Sequence, residues 1–146
     1  MLGQDFLLSA IEAETGEGKQ LDFVKQVLST SLLKVKDYTC IIIEEDDYDY
    51  GQLSGGSQIL QSIEPYFLSV VIKSSNTNAL TDETRRELKS TLDEQTEKVL
   101  LVIIDAKEDA NGIADVSFGK AKPYDIKIGA SPAMEIIIPV TVTVMK

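Results

Sequence analysis

Residues 134–144 read MEIIIPVTVTV, and this stretch decides the fold. Met134, Ile136, Ile138, Val140, Val142 and Val144 occupy alternate positions, so an extended chain places all six on one face. Glu135, Ile137, Pro139, Thr141 and Thr143 share the other face. Branching at Cβ suits Val, Ile and Thr to a pleated, half-buried surface. The stretch is therefore expected to be the long strand of a sheet, with its even-numbered residues in the core. Pro139 has no N–H for a ladder, which predicts an edge position or a bulge near the middle.

Two more strands are read upstream. Cys40, Ile41, Ile42 and Ile43 form an unbroken apolar run within residues 38–45, as expected of a strand covered on both faces. Tyr66, Leu68, Val70 and Ile72 alternate with Phe67, Ser69, Val71 and Lys73, and the strand that carries them begins at Ile59 or nearer Pro65. Between these two lie Glu44, Glu45, Asp46, Asp47, Tyr48, Asp49 and Tyr50, then Gly51, Gly55 and Gly56. Carboxylates this dense cannot pack together, so a hairpin with a solvated acidic tip is predicted.

Helices are expected in three places. Leu7, Leu8 and Ile11 have helical spacing before Thr15-Gly16-Glu17-Gly18 breaks the chain, which reads as a first short helix or as an arm ahead of the next one, the glycines favouring two pieces. Leu21, Val24, Val27 and Leu28 predict a second helix over about 20–29. A third is read over 81–96, with Asn78 or Thr81 as N-cap, Asp82 and Glu83 in its first turn, and a narrow stripe of Leu80, Thr84, Leu88 and Leu92. Glu94 and Lys98 are placed to pair at i, i+4. Residues 99–104, VLLVII, are read as a buried strand, although periodicity alone does not separate this from a continuing helix. Asn111-Gly112 marks a turn, Val116 and Phe118 begin a further strand, and Tyr124, Ile126 and Ile128 alternate after an interruption at residues 120–123. The class predicted is α+β: a mainly antiparallel sheet with helices packed on one face, in a single domain over residues 1–146.

Composition narrows the function. With 43% hydrophobic and 26% charged residues, the chain fits a globular domain rather than a disordered one. The longest apolar run, 99–104, is too short to span a bilayer, and no signal peptide is read in residues 1–6, so a cytoplasmic site of synthesis is expected. A net charge of −10 argues against gripping a phosphate backbone, which calls for clustered Lys and Arg.

The side chains that usually carry chemistry are scarce. The absence of histidine removes the commonest general base and metal ligand. Cys40, the single cysteine, lies in an apolar strand where a buried inert thiol is expected. Asp47 and Asp49 have the spacing of calcium-loop ligands, yet the next ligand position is Gly51 and the required glycine is Gln52. The run from Lys107 to Gly112 imitates the same loop but fails at its first position, Lys107, and at its twelfth, Phe118. Neither glycine cluster ends in the Gly-Lys-Ser/Thr of a phosphate loop. No catalytic residue, metal or cofactor is expected.

The order of elements resembles the tail terminator, or tail completion, proteins of long-tailed bacteriophages. The likeness is carried by residues 38–72 with the tip 44–56, by the helix 81–96 and by residues 134–146. It is one of pattern rather than of signature residues. The resemblance implies a non-enzymatic virion protein, assembled in the host cytoplasm, that forms a ring of six at the tail–neck junction. Such a ring caps the tail tube, stops its polymerisation and offers a surface to the neck or head-completion protein. DNA passes through its lumen without specific binding, and no membrane is involved. Glu44, Glu45, Asp46, Asp47, Tyr48, Asp49 and Tyr50 are the interface residues expected on this reading. Another head–tail joining protein, or a tail tube subunit of similar layout, is the alternative.

Overall fold

The computed structural model describes residues 2–29, 37–46, 61–74, 81–129 and 131–145. Its elements are α1 (Leu2–Ala13), β1 (Gln26–Leu28), β2 (Cys40–Glu45), β3 (Gln61–Lys73), α2 (Asp82–Glu108), β4 (Ile113–Phe118), β5 (Lys122–Ile128) and β6 (Ser131–Met145). The fold is α+β, as the patterning predicts. Among the described residues a six-stranded sheet runs β1-β2-β3-β6-β4, with β5 also paired to β6; of these strand pairs β1–β2 is parallel and the others antiparallel.

β6 is long and its even-numbered residues are buried, Val142 completely. They meet Tyr66, Leu68, Val70 and Ile72 of β3 and Ile41 and Ile43 of β2. The helices close this side, through Leu7 and Ile11 of α1 and Leu88, Leu92, Val99, Val102 and Ile103 of α2.

The edge expected for β6 is not found. The strand lies between β3 and the β4–β5 chain, and Pro139 is accommodated by a fault in that neighbour. Phe118 pairs with Val140 and Lys122 with Ile137, so four steps along the β4–β5 chain oppose three along β6. Gly119 sits in this gap and donates its N–H to the Pro139 carbonyl at 2.7 Å. In an antiparallel strand a residue's N–H and C=O point to the same side. The donor that Pro139 lacks would thus have pointed into the gap, where no regular ladder needs it. A Cβ on residue 119 would meet the Pro139 ring at 3.0 Å, which suits glycine there.

Two sequence expectations are overturned. The segment expected to be a helix over 20–29 turns at 20–23 and enters β1, with Lys25 N–H donating to the Thr39 carbonyl at 2.8 Å. Its helical spacing still buries Leu21 and Val24, but β2 presents an unfilled ladder, and pairing backbone groups outweighs local periodicity. Nor are residues 99–104 a strand. They continue α2, which has neither Gly nor Pro until Gly112 turns the chain toward β4 at φ 86°.

At the start of α2, Thr81 is the N-cap and its side chain accepts from Thr84 N–H at 3.2 Å. Glu94 and Lys98 pair at 3.6 Å, while Arg85 reaches Asp125 on β5 at 2.7 Å. Toward the sheet, Thr96 is buried and its hydroxyl has no hydrogen-bond partner. Replacing it with a methyl group of the same shape removes an uncompensated polar burial. Thr96→Val is therefore expected to raise stability by about 1 kcal/mol in urea denaturation; a loss of stability would show that the hydroxyl is satisfied.

Candidate functional site

Both helices occupy one side of the sheet, so alternation leaves the odd-numbered residues of β3 and β6 on the side that, among the described residues, no helix covers. Cys40, Ile42 and Val71 are buried at one end of this face, against Leu28, Tyr38, Ile126 and Ile128. The rest of the face mixes exposed apolar residues with Ser69, Ser117, Thr141 and Thr143. Ile63 is 50% exposed, Tyr124 39% and Phe67 36%, and half-buried Ile137 and Pro139 lie among them.

Charges frame this surface. Lys73 places its Nζ 5.9 Å from the centre of the Tyr38 ring, and Lys122 lies 5.7 Å from that of Tyr124, so both ammonium groups rest on aromatic faces. Glu135 is half-buried on β6, and its carboxyl titrates above the usual range, first because burial disfavours the charge and then because Glu44 repels it. Burial likewise lifts the Cys40 thiol to about 11, which keeps it protonated and a poor nucleophile at neutral pH. Tyr38 is raised as well, by burial and then by Cys40.

The acidic run expected to form one interface is divided by the strand that carries it. Glu44 and Glu45 are the last residues of β2, both exposed, opposite Phe67 and Tyr66 respectively. Adjacent residues of a strand face opposite ways, so Glu44 borders the uncovered face and Glu45 the helical side. Asp46 extends the pairing by one hydrogen bond, from its N–H to the Pro65 carbonyl at 3.0 Å. Asp47, Tyr48, Asp49 and Tyr50 lie outside the described residues. Among the described residues no group of three or more acidic or cysteine side chains is placed to hold a metal ion, and no helix is long and apolar enough to cross a membrane.

One polar cluster was missed in the sequence. Glu64 is buried on the helical side and accepts hydrogen bonds from Gly3 N–H at 3.0 Å, from the Tyr66 hydroxyl and from the Ser62 hydroxyl at 3.4 Å. A carboxylate from β3 thus caps the N-terminus of α1, where unpaired N–H groups and the helix dipole favour negative charge. The signal was present. Counting back by twos from Tyr66, Leu68 and Val70 puts Glu64 in the core row, where a carboxylate needs partners.

No family model matches the chain, and no curated protein matches it.

Proposed function

We propose that the chain is a structural joining protein of a long-tailed bacteriophage. In this reading it forms a ring, of six subunits in the resembling family, that caps the head-proximal end of the tail tube and receives the neck or head-completion protein. The observation that carries the proposal is the β2–β3 hairpin. Two strands buried deep in the core lead outward into an acidic run beginning at Glu44, Glu45 and Asp46. In sequence that run continues through Asp47, Tyr48, Asp49 and Tyr50, with carboxylates and aromatic anchors interleaved.

The net charge of −10 suits a ring around a DNA path, because an acidic lumen repels the polyanion that must slide through it. Strand ends and hairpin tips are also a natural means of grasping an adjacent ring by adding backbone hydrogen bonds. The task needs no cofactor and no catalytic group.

Negative-stain imaging of the purified protein, alone and with tail tubes, tests the proposal. Closed rings that do not stack alone, and that cap tubes when mixed with them, are expected. Tubes grown from the protein by itself would instead make it a tube subunit. Deleting residues 46–55 and bridging the strands with a short turn should leave a folded chain that no longer caps tails. Tails of normal length that still join heads would show that the hairpin end is not the interface.

A further inference from the structure

We infer that Asn111, in the turn from α2 to β4, is a site of spontaneous modification, where the Gly112 backbone nitrogen displaces the side-chain amide and the residue becomes aspartate or isoaspartate. The inference does not rest on the ring proposed above. The reaction needs no enzyme and no cofactor, only water.

Sequence selects the residue. The chain has asparagine at 76, 78 and 111, followed by Thr77, Ala79 and Gly112. A glycine has no Cβ to block the approach of its nitrogen to the preceding side chain, and its backbone turns freely. The fold then leaves the pair reactive. Asn111 is exposed, and among the described residues its side chain has no hydrogen-bond partner that would hold the amide away. The end of α2 is closed by Asp109 N–H donating to the Ala106 carbonyl at 3.3 Å and by Ala110 N–H donating to the Lys107 carbonyl at 3.2 Å. Gly112 lies beyond these bonds at φ 86°, and among the described residues its own N–H has no partner. Its carbonyl is engaged instead, accepting from Met145 N–H at 2.8 Å. The attacking nitrogen is free while the atoms on either side of it are pinned.

The step balances with water alone. Gly112 N–H loses its proton to hydroxide, and the nitrogen attacks Asn111 Cγ to form a new C–N bond. The bond from Cγ to Nδ2 breaks and ammonia leaves, closing a cyclic succinimide. Water then opens the ring at either carbonyl. Breaking the new bond gives aspartate; breaking the original peptide bond gives isoaspartate, with the main chain routed through Cβ and Cγ. Either product puts a carboxylate just past the C-terminal end of α2, close in the chain to Glu108 and Asp109, where the helix dipole disfavours negative charge. Isoaspartate also lengthens the backbone by one carbon, inside a turn spanned by the Lys107–Asp115 ion pair at 3.2 Å and tied to β6 through the Met145–Gly112 hydrogen bond. The start of β4 and the end of β6 therefore loosen as the protein ages.

Incubating the full chain at neutral and mildly alkaline pH, in native buffer and in urea, and mapping its peptides by mass spectrometry tests the site. The amide-to-acid mass change is expected at Asn111 well before Asn76 or Asn78, in the native chain as well as in urea, and faster as hydroxide rises. Labelling by an isoaspartate-specific methyltransferase should follow the same course. Asn111→Gln, at this exposed position, should fold normally and lose both signals, because the longer side chain cannot close the same ring. Aged chains, separated from fresh ones by their extra negative charge, should unfold at a lower urea concentration. Conversion in urea but not in the native chain overturns the inference, since the folded turn would then protect Asn111. So does conversion at Asn76 or Asn78 as fast as at Asn111, labelling that persists in Asn111→Gln, or an aged chain that unfolds where the fresh one does.

Discussion

Val142→Asp is expected to destabilise the protein by at least about 4 kcal/mol, most of the net stability of a domain at the weak end of the usual range. Val142 is completely buried at the centre of the sheet, flanked in register by Glu64 on β3 and by Val116 on β4. An aspartate there meets two penalties. Its own charge leaves water without a partner, and it arrives directly beside the buried Glu64 carboxylate, to which the Gly3, Tyr66 and Ser62 donors are already turned. Protonating one of the two acids relieves the repulsion and lets its O–H donate to the other, but further carboxyl oxygens stay buried without donors. Thr141→Asp and Thr143→Asp are the controls, since both positions are half-buried on the opposite face. Each should cost less than about 1 kcal/mol. Urea denaturation of the three variants checks the ranking, and a cooperative Val142→Asp chain of near wild-type stability would remove β6 from the core.

Why the sequence disclosed some elements and hid others follows from where the deciding information sits. β6 was legible because one face of it is buried and the other is not, so its alternation is written in the chain. β2 was legible for the opposite reason: covered on both faces, it needs an unbroken apolar run. The misreadings arose where two elements share an apolar code. In VLLVII, Val99, Val102 and Ile103 face the sheet, but Leu101 and Ile104 are 50% and 43% exposed. The outward apolar residues masked a helical period that the buried ones keep. The lack of any Gly or Pro from 81 to 111 was the better guide, because no such breaker interrupts α2 before its end at Glu108. Residues 20–29 failed differently. Their helical spacing is genuine, yet ten residues nucleate a helix poorly, and the vacant edge of β2 supplied partners that no local pattern reveals. The acidic run was visible at once, whereas its division by the pleat, Glu44 to one side and Glu45 to the other, follows only from the strand's true end.

The Glu64 cluster supplies the second large effect, and one that single substitutions cannot explain. Glu64→Ala leaves the Gly3 N–H buried without its acceptor, removes the carboxylate to which the Tyr66 hydroxyl donates and opens a void between β3 and α1, at an expected cost of about 3 kcal/mol. Gly3→Ala attacks the same contact from the other side. A Cβ on residue 3 would stand 2.5 Å from Glu64 Oε1 and 3.0 Å from the Tyr66 oxygen, so either the carboxylate swings away or the helix backs off. Alanine is otherwise the better helix former by about 1 kcal/mol, and the clash must exceed that gain; a net loss of about 2 kcal/mol is expected. Combined, the two changes should not add. With the carboxylate removed, the new methyl group enters the space it left, the helical preference of alanine is recovered, and Gly3→Ala becomes neutral or stabilising in the Glu64→Ala background. The coupling expected from the double-mutant cycle is about 2 kcal/mol or more, measured by urea denaturation of the four chains. Strictly additive costs would mean that α1 does not rest on Glu64, and that the helix is held to the sheet by its apolar residues and by the Gln4 side chain donating to the Ile43 carbonyl.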